Sequence, residues 1–174
     1  MRLLNVFFAL ILIISPVTGP ALAAADLAAT DLAGVDISGF NACIDAAQKD
    51  GTNPGPCIDT AQVACLDNAR ETPAVATLCY TEARKVWSGA LSGTIAEMTR
   101  SADEKVAAVA RIETKYNLLT NLMACDRVEE LSRAVSAMPG EAIALQTARC
   151  QATASAATYM YLYLREKTLA AAKP

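Results

Sequence analysis

The chain has 174 residues, of which 53% are hydrophobic and 19% are charged, a composition typical of one globular domain rather than of a disordered segment. Aromatic residues make up only 5%, which favours a thin helical core over a β-sandwich. Histidine is absent, so the chain lacks the commonest general base and the commonest metal ligand. We therefore expect no enzyme activity, no cofactor and no metal site. Isolated carboxylates such as Glu82 and Glu97 are more simply explained as solvated helix charges.

Residues 1–25 have the pattern of a secretory signal peptide. Arg2 supplies the positive end, and the apolar run from Leu3 to Ile14 is shorter than the roughly 20 residues that span a bilayer. Small residues suited to cleavage follow at 21–25, and an uncleaved membrane anchor is the alternative interpretation. We expect a periplasmic or secreted protein with no membrane span after cleavage. Cleavage removes one base and no acid, so the net charge changes from −3 to −4.

The exported part is predicted to consist of a loose N-terminal arm, residues 26–40, and one helical domain, residues 41–170. Two short helices are expected over 41–49 and 57–70. A third helix begins at Thr72-Pro73, because threonine is a good N-cap and proline is favoured in the first helical turn.

A long helical hairpin is predicted from Ser101 to Lys167, with its turn at Met138-Pro139-Gly140. The first arm begins with a capping box, Ser101 to Glu104. It carries two apolar stripes at helical spacing, which we expect to be buried on two sides. The stripe with Cys125 would face the second arm, and the other would pack on the helix of Trp87. The residues of the two stripes are Leu118, Leu122, Cys125 and Leu131, and Ile112, Tyr116, Leu119 and Met123.

All six cysteines lie in the exported part, where thiols are oxidised. In a helical hairpin, residues equidistant from the turn face each other, so each pair should be centred on a helix break. This rule selects three disulfides, namely Cys43–Cys57, Cys65–Cys79 and Cys125–Cys150. A zinc cluster is the alternative, but paired C-x-x-C spacing is absent. The predicted fold is an all-α, disulfide-stapled bundle built around the long antiparallel hairpin.

Several residues stand at characteristic spacings. Cys79 is followed by Trp87 and Leu91 and then by Cys125; Gly140 stands ten residues before Cys150, and Leu162 stands twelve after it. This spacing resembles that of the LprI-type family of lysozyme inhibitor domains. The resemblance covers about Cys57 to Leu164 and identifies the chain as a diverged member. It implies a small exported helical protein that blocks a lysozyme.

The functional prediction is therefore an envelope protein that binds and blocks a lysozyme or another cationic cell-wall hydrolase. Its acidity would attract such an enzyme, and the hairpin turn would enter the cleft, flanked by Glu129, Glu130 and Glu141. The alternative is an envelope structural or adaptor protein without inhibitory activity. Nucleic-acid binding is not expected, because the chain is acidic and has no basic stripe.

Overall fold

The computed structural model describes residues 34–171, which form six helices and no strand. The predicted all-α, disulfide-stapled bundle is confirmed. Residues 1–25, the predicted signal peptide, lie outside the described residues, as does most of the predicted arm. The helices are α1 (Ile37–Lys49), α2 (Pro56–Ala61), α3 (Val63–Glu71), α4 (Pro73–Ser101), α5 (Glu104–Val135) and α6 (Gly140–Ala171).

The first helix begins inside the segment that was predicted as a loose arm, residues 26–40. The Asp36 side chain caps α1 by accepting a hydrogen bond of 2.9 Å from the amide of Ser38. Phe40, on the first turns of α1, is 2% exposed and belongs to the core. The predicted arm is therefore too long at its C-terminal end, because a capped helix and a buried aromatic ring hold residues 37–40 in the domain.

The junction between α4 and α5 also differs from the sequence prediction. Ser101 is the last residue of α4, and Asp103 is the N-cap of α5, where its carboxylate accepts a hydrogen bond of 2.9 Å from the Lys105 amide. The capping box starting at Ser101 is thus wrong by two residues. The predicted start of α4 after Thr72 and the predicted hairpin turn before Gly140 both agree with the structure.

Helix α6 lies between α4 and α5 and makes the main packing surface of the domain, whereas α4 and α5 contact each other much less. The centre of the core is aromatic. The Phe40 ring meets the Trp87 ring edge to face at 4.8 Å between centroids, and Tyr159 packs 5.9 Å from Trp87. Trp87 is fully buried, so α4 is held to α1 and α6 by its largest side chain.

Three disulfides fasten neighbouring helices together. Cys43–Cys57 joins α1 to α2, Cys65–Cys79 joins α3 to α4, and Cys125–Cys150 joins α5 to α6. Their Cα–Cα distances are 5.9, 5.4 and 5.7 Å, which lie within the usual range for a bridge. These are the pairs selected by centring each one on a helix break.

A small polar cluster fastens α1 to the end of α6. Asp45 Oδ2 accepts hydrogen bonds of 3.0 Å from the Tyr163 hydroxyl and 3.0 Å from Lys167 Nζ. Lys167 Nζ also lies 5.1 Å from the centre of the Tyr163 ring. Hydrogen bonding by Lys167 lowers the pKa of Asp45 from its ordinary value.

Within residues 34–171, no helix combines the length and the apolar character that crossing a membrane requires.

Candidate functional site

The turn of the hairpin is a short connection, Ser136 to Pro139, between α5 and α6. The Ser136 hydroxyl oxygen accepts a hydrogen bond of 3.0 Å from the Met138 amide, and the Pro139 carbonyl accepts from the amides of Ala142 and Ile143. The Cys125–Cys150 disulfide joins the two arms below the turn. The turn is thus an exposed connection between two helices that a disulfide joins.

The three glutamates proposed for partner binding do not form one cluster. Glu129 and Glu130 are consecutive in α5, so they point about 100° apart around the helix. Glu141 lies in the first turn of α6, where a carboxylate is favoured by the helix dipole. Glu130 and Glu141 are exposed, and neither forms an ion pair with another residue in the range 34–171.

Glu129 differs from the other two because its charge is already paired. Its Oε1 accepts hydrogen bonds of 2.7 Å from Arg133 Nη2 and 3.0 Å from Arg133 Nε. This hydrogen bonding by the Arg133 guanidinium lowers the pKa of Glu129 from its ordinary value. Of the three, Glu129 is therefore the least available to a cationic partner.

A second feature of the hairpin is an apolar stripe along the outer side of α5. Its five large side chains are between 44% and 60% exposed. They follow each other at alternating spacings of three and four residues, as on the contact face of a coiled-coil helix. None of them packs on the core formed by residues 34–171. The members of this outer stripe are Val109, Ile112, Tyr116, Leu119 and Met123.

The outer stripe and the core-facing side of α5 lie on opposite sides of the helix. Ala110 and Cys125 are buried and Leu118 is half-buried on the inner side, at positions that point away from the stripe. The prediction that the stripe packs on the helix of Trp87 is wrong. Trp87 instead lies between Phe40 of α1 and Tyr159 of α6, so α4 leaves the outer side of α5 uncovered.

The two edges of the outer stripe carry different charges. Lys115 is exposed on one edge, and Arg111 is exposed one turn before it, further round towards the groove between α4 and α5 that both residues line. Neither forms an ion pair with any residue between 34 and 171. On the other edge Glu113 lies 3.5 Å from Arg165 of α6. The stripe is therefore an apolar surface with one cationic edge and one edge whose acid is already paired.

Val109, as a member of the outer stripe, and the cationic edge of the stripe were not predicted from the sequence. The signal was present in the spacing, since Val109 continues the pattern by three residues towards the N-terminus. The same spacing reaches Asp126 and Glu130 at the other end, where the stripe stops. The inner side of α5 was predicted to face the disulfide partner, and the opposite side was predicted to pack on the helix of Trp87 rather than to be a binding surface.

The carboxylates that a catalytic hypothesis could use are engaged in local ion pairs. Glu82 lies 2.6 Å from Lys85, and Glu97 lies 2.5 Å from Arg100, each pair being three residues apart on α4. Among the described residues, no three Cys, Asp or Glu side chains are grouped so that they could hold a metal ion.

Comparisons of the chain with family models, with curated proteins and with solved structures find no match.

Proposed function

We propose that this protein is a non-catalytic binding protein of an oxidising compartment, periplasmic or extracellular, which binds an amphipathic helix of a partner protein on the outer stripe of α5. The observation that carries this proposal is the stripe itself, with five large apolar side chains left about half exposed. The signal-like residues 1–25 and the three disulfides support export.

The geometry of the stripe favours a helix as its occupant. Alternating spacings of three and four residues match the contact face of a second helix, whose side chains would fit between Ile112, Tyr116 and Leu119. Half-exposed side chains of this size offer on the order of 500 Å² of apolar surface, at the upper end of what a monomer commonly exposes. Such an area suits one docked helix rather than a broad interface of about 800 Å² on each partner.

Charge favours a foreign helix with an acidic edge over a second copy of this chain. Acidic side chains of a partner would pair with Arg111 and Lys115, which have no ion-pair partner within the described domain. A second copy packed antiparallel would set the Lys115 edge against the same edge of its partner. A second copy packed parallel would offer Glu113, which Arg165 already engages.

A synthetic helix tests this proposal with the oxidised protein lacking residues 1–25. The peptide carries leucine at alternating spacings of three and four and glutamate along one edge, and its binding is measured by calorimetry. We expect that Ile112→Ser or Leu119→Ser weakens binding at least tenfold, because each removes a large apolar contact. Val63→Ser in α3 is the matched control, since Val63 is exposed to a similar degree, and it should leave binding unchanged.

Two outcomes contradict the proposal. One is that both stripe variants bind the peptide with the same affinity as the control variant, which would mean that the peptide binds elsewhere. The other is a wild-type protein that sediments as a dimer at micromolar concentration and becomes a monomer with Leu119→Ser. That result would make a second copy the occupant of the stripe.

A second candidate function is inhibition of a lysozyme or another cationic cell-wall hydrolase. It is supported by the exposed, unpaired carboxylates of Glu130 and Glu141 on a hairpin that the Cys125–Cys150 bridge holds. A net charge of −4 after removal of residues 1–25 would speed encounter with a basic enzyme at low salt. In this hypothesis the turn enters the enzyme's cleft, and the outer stripe has no role.

Lysis of cell-wall substrate by a basic lysozyme, at near-physiological salt, tests the inhibitor function. Inhibition at micromolar concentration should weaken with Glu130→Gln and Glu141→Gln combined. Glu129→Gln is the matched control and should have a smaller effect, because Arg133 already pairs Glu129. Absence of inhibition by the wild-type protein would contradict the inhibitor function and leave the helix-binding proposal unaffected.

A further inference from the structure

A cavity of about 500 Å³ lies between the first half of α6 and helices α2, α3 and α4. It is separate from the outer stripe of α5. Its volume is within the range of small-molecule sites in proteins. Helix α6 supplies one wall with residues three or four apart, and α4 supplies Tyr80. The side chains that line it are Asp59, Ala69, Tyr80, Ala142, Leu145, Gln146, Arg149, Cys150 and Thr153.

Tyr80 is the feature that marks this cavity as more than a packing defect. It is 1% exposed, and its hydroxyl has no hydrogen-bond partner among residues 34–171. A tyrosine hydroxyl carries its proton at neutral pH and is a hydrogen-bond donor, and burial raises the pKa of Tyr80 further from its ordinary value. A buried hydroxyl without a partner costs free energy, and a ligand that accepts its hydrogen bond would recover that cost.

The rim of the cavity carries an ion pair that a ligand can exchange. Arg149 Nη2 lies 3.6 Å from Asp59 Oδ1, and both side chains are more than half exposed, so their attraction is weak. Arg149 and Tyr80 line the same cavity, so a ligand inside it lies between the guanidinium and the tyrosine side chain. A guanidinium beside a hydroxyl donor is a combination suited to a carboxylate.

The remaining walls are suited to an apolar chain. Leu145 and two alanines form most of them, and Gln146 and Thr153 add polar groups at the α6 side. The cavity is also fixed in shape, since Cys150 belongs to the bridge with α5 and Cys79, next to Tyr80, belongs to the bridge with α3. A wall held in place before binding loses little conformational entropy when a ligand arrives.

We propose that this cavity binds a small amphipathic carboxylate, with its apolar chain against Leu145 and its carboxylate shared by Arg149 and the Tyr80 hydroxyl. The ligand carboxylate replaces Asp59 as the partner of Arg149. The site requires neither a partner protein nor the outer stripe of α5, so it is independent of the function proposed above.

Calorimetric titration of the oxidised protein with octanoate tests the site, with octanamide and octylammonium as neutral and cationic counterparts. Octanoate should bind at least tenfold more tightly than either. Tyr80→Phe keeps the ring and removes only the hydroxyl, and it should weaken octanoate binding about tenfold, as loss of one hydrogen bond to a charged group predicts. Arg149→Gln should weaken it at least tenfold, and Asp59→Asn should strengthen it severalfold by freeing Arg149.

Arg127→Gln, at an exposed position of α5, is the matched control for Arg149→Gln and should leave octanoate affinity unchanged. Tyr80→Phe should melt no lower than wild type, because the hydroxyl it removes has no partner in the described domain. Absence of octanoate binding at millimolar concentration would overturn the proposal. So would tighter binding of octylammonium, or an octanoate affinity unaffected by both Tyr80→Phe and Arg149→Gln.

Discussion

The two long helices that pack on α6 are buried in very different ways. Helix α4 places Trp87, Tyr80, Leu91 and Met98 in the interior, where Trp87 is surrounded by Phe40 and Tyr159. Helix α5 buries only two alanines and Cys125, Leu118 on its inner side is half-buried, and five of its large apolar side chains are exposed on the outer side. On one side of α6, α4 is therefore held by aromatic packing, and on the other side α5 is held mainly by a disulfide.

This difference separates the residues that make the fold from those available for function. Large side chains in α4 contribute the stabilising burial, whereas similar side chains in α5 remain exposed to solvent at a cost in solubility. A continuous exposed stripe of such residues is usual at sites that bind another protein. The three predictions that follow would break or sharpen this distinction, from the largest expected effect to the smallest.

Trp87→Ala should destabilise the domain far more than Tyr116→Ala. Trp87 is fully buried, so its truncation leaves a cavity and should lower the free energy of unfolding by about 3–5 kcal/mol. Tyr116 is 60% exposed on the outer stripe, and its truncation should cost less than about 1 kcal/mol. Guanidinium denaturation of both variants, with disulfides intact, makes the comparison. Equal losses would mean that the outer stripe is buried.

Replacing Cys125 and Cys150 by alanine should loosen α5 while leaving α4 in place. The bridge closes a separation of 25 residues, and its loss should lower the free energy of unfolding by about 2–4 kcal/mol. Hydrogen exchange should accelerate in the amides of α5, because few other large side chains hold this helix to the core. Unchanged exchange in α5, or equal acceleration in α4 and α5, would contradict this account.

The polar cluster at the end of α6 should give a small stability effect that depends on pH. Because Lys167 lowers the pKa of Asp45 in the folded state, the ionised carboxylate stabilises the fold. The advantage of wild type over Asp45→Asn should be complete above the unfolded pKa of about 3.9. It should disappear as the pH falls through the lower folded value, and it should stay below about 1 kcal/mol, because the pair is exposed.

Denaturation of wild type and Asp45→Asn between pH 2 and 7 measures this effect. Asn68→Asp, which adds a carboxylate in α3 outside the cluster of Asp45, Tyr163 and Lys167, is a control for nonspecific charge effects. A difference between wild type and Asp45→Asn that grows as the pH falls would have the wrong sign for a carboxylate with a lowered pKa.

Local chemistry explains which parts of the fold could be predicted from the sequence. Thr72-Pro73 and Pro139-Gly140 set helix starts through backbone geometry, which depends on neighbouring residues alone, although the Thr72 side chain makes no capping hydrogen bond. Cysteine pairing followed from the same breaks, because equal distances from a turn bring two side chains together. The ion pair of Glu129 with Arg133 could also have been predicted, since side chains four residues apart are neighbours on a helix.

Which element packs on each apolar face of a helix could not be predicted in the same way. Periodicity showed that α5 has two apolar sides, but it does not say what packs on either of them. The helix of Trp87 was predicted to pack on the outer stripe of α5. In the folded chain Trp87 packs on Phe40, a residue of the predicted loose arm. The cavity at Tyr80 was equally out of reach, because it combines residues from four helices that are distant in the chain.

A charge exchange across the outer stripe tests the central claim most directly. The amphipathic peptide with a glutamate edge is titrated into wild type and into a variant carrying Arg111→Glu and Lys115→Glu, alongside a second peptide whose edge is lysine. We predict that the variant binds the glutamate peptide at least tenfold more weakly than wild type does. It should bind the lysine peptide more tightly by a similar factor, because only the signs of the facing charges change. Binding of both peptides equally by wild type and variant would contradict a helix site with a cationic edge on α5.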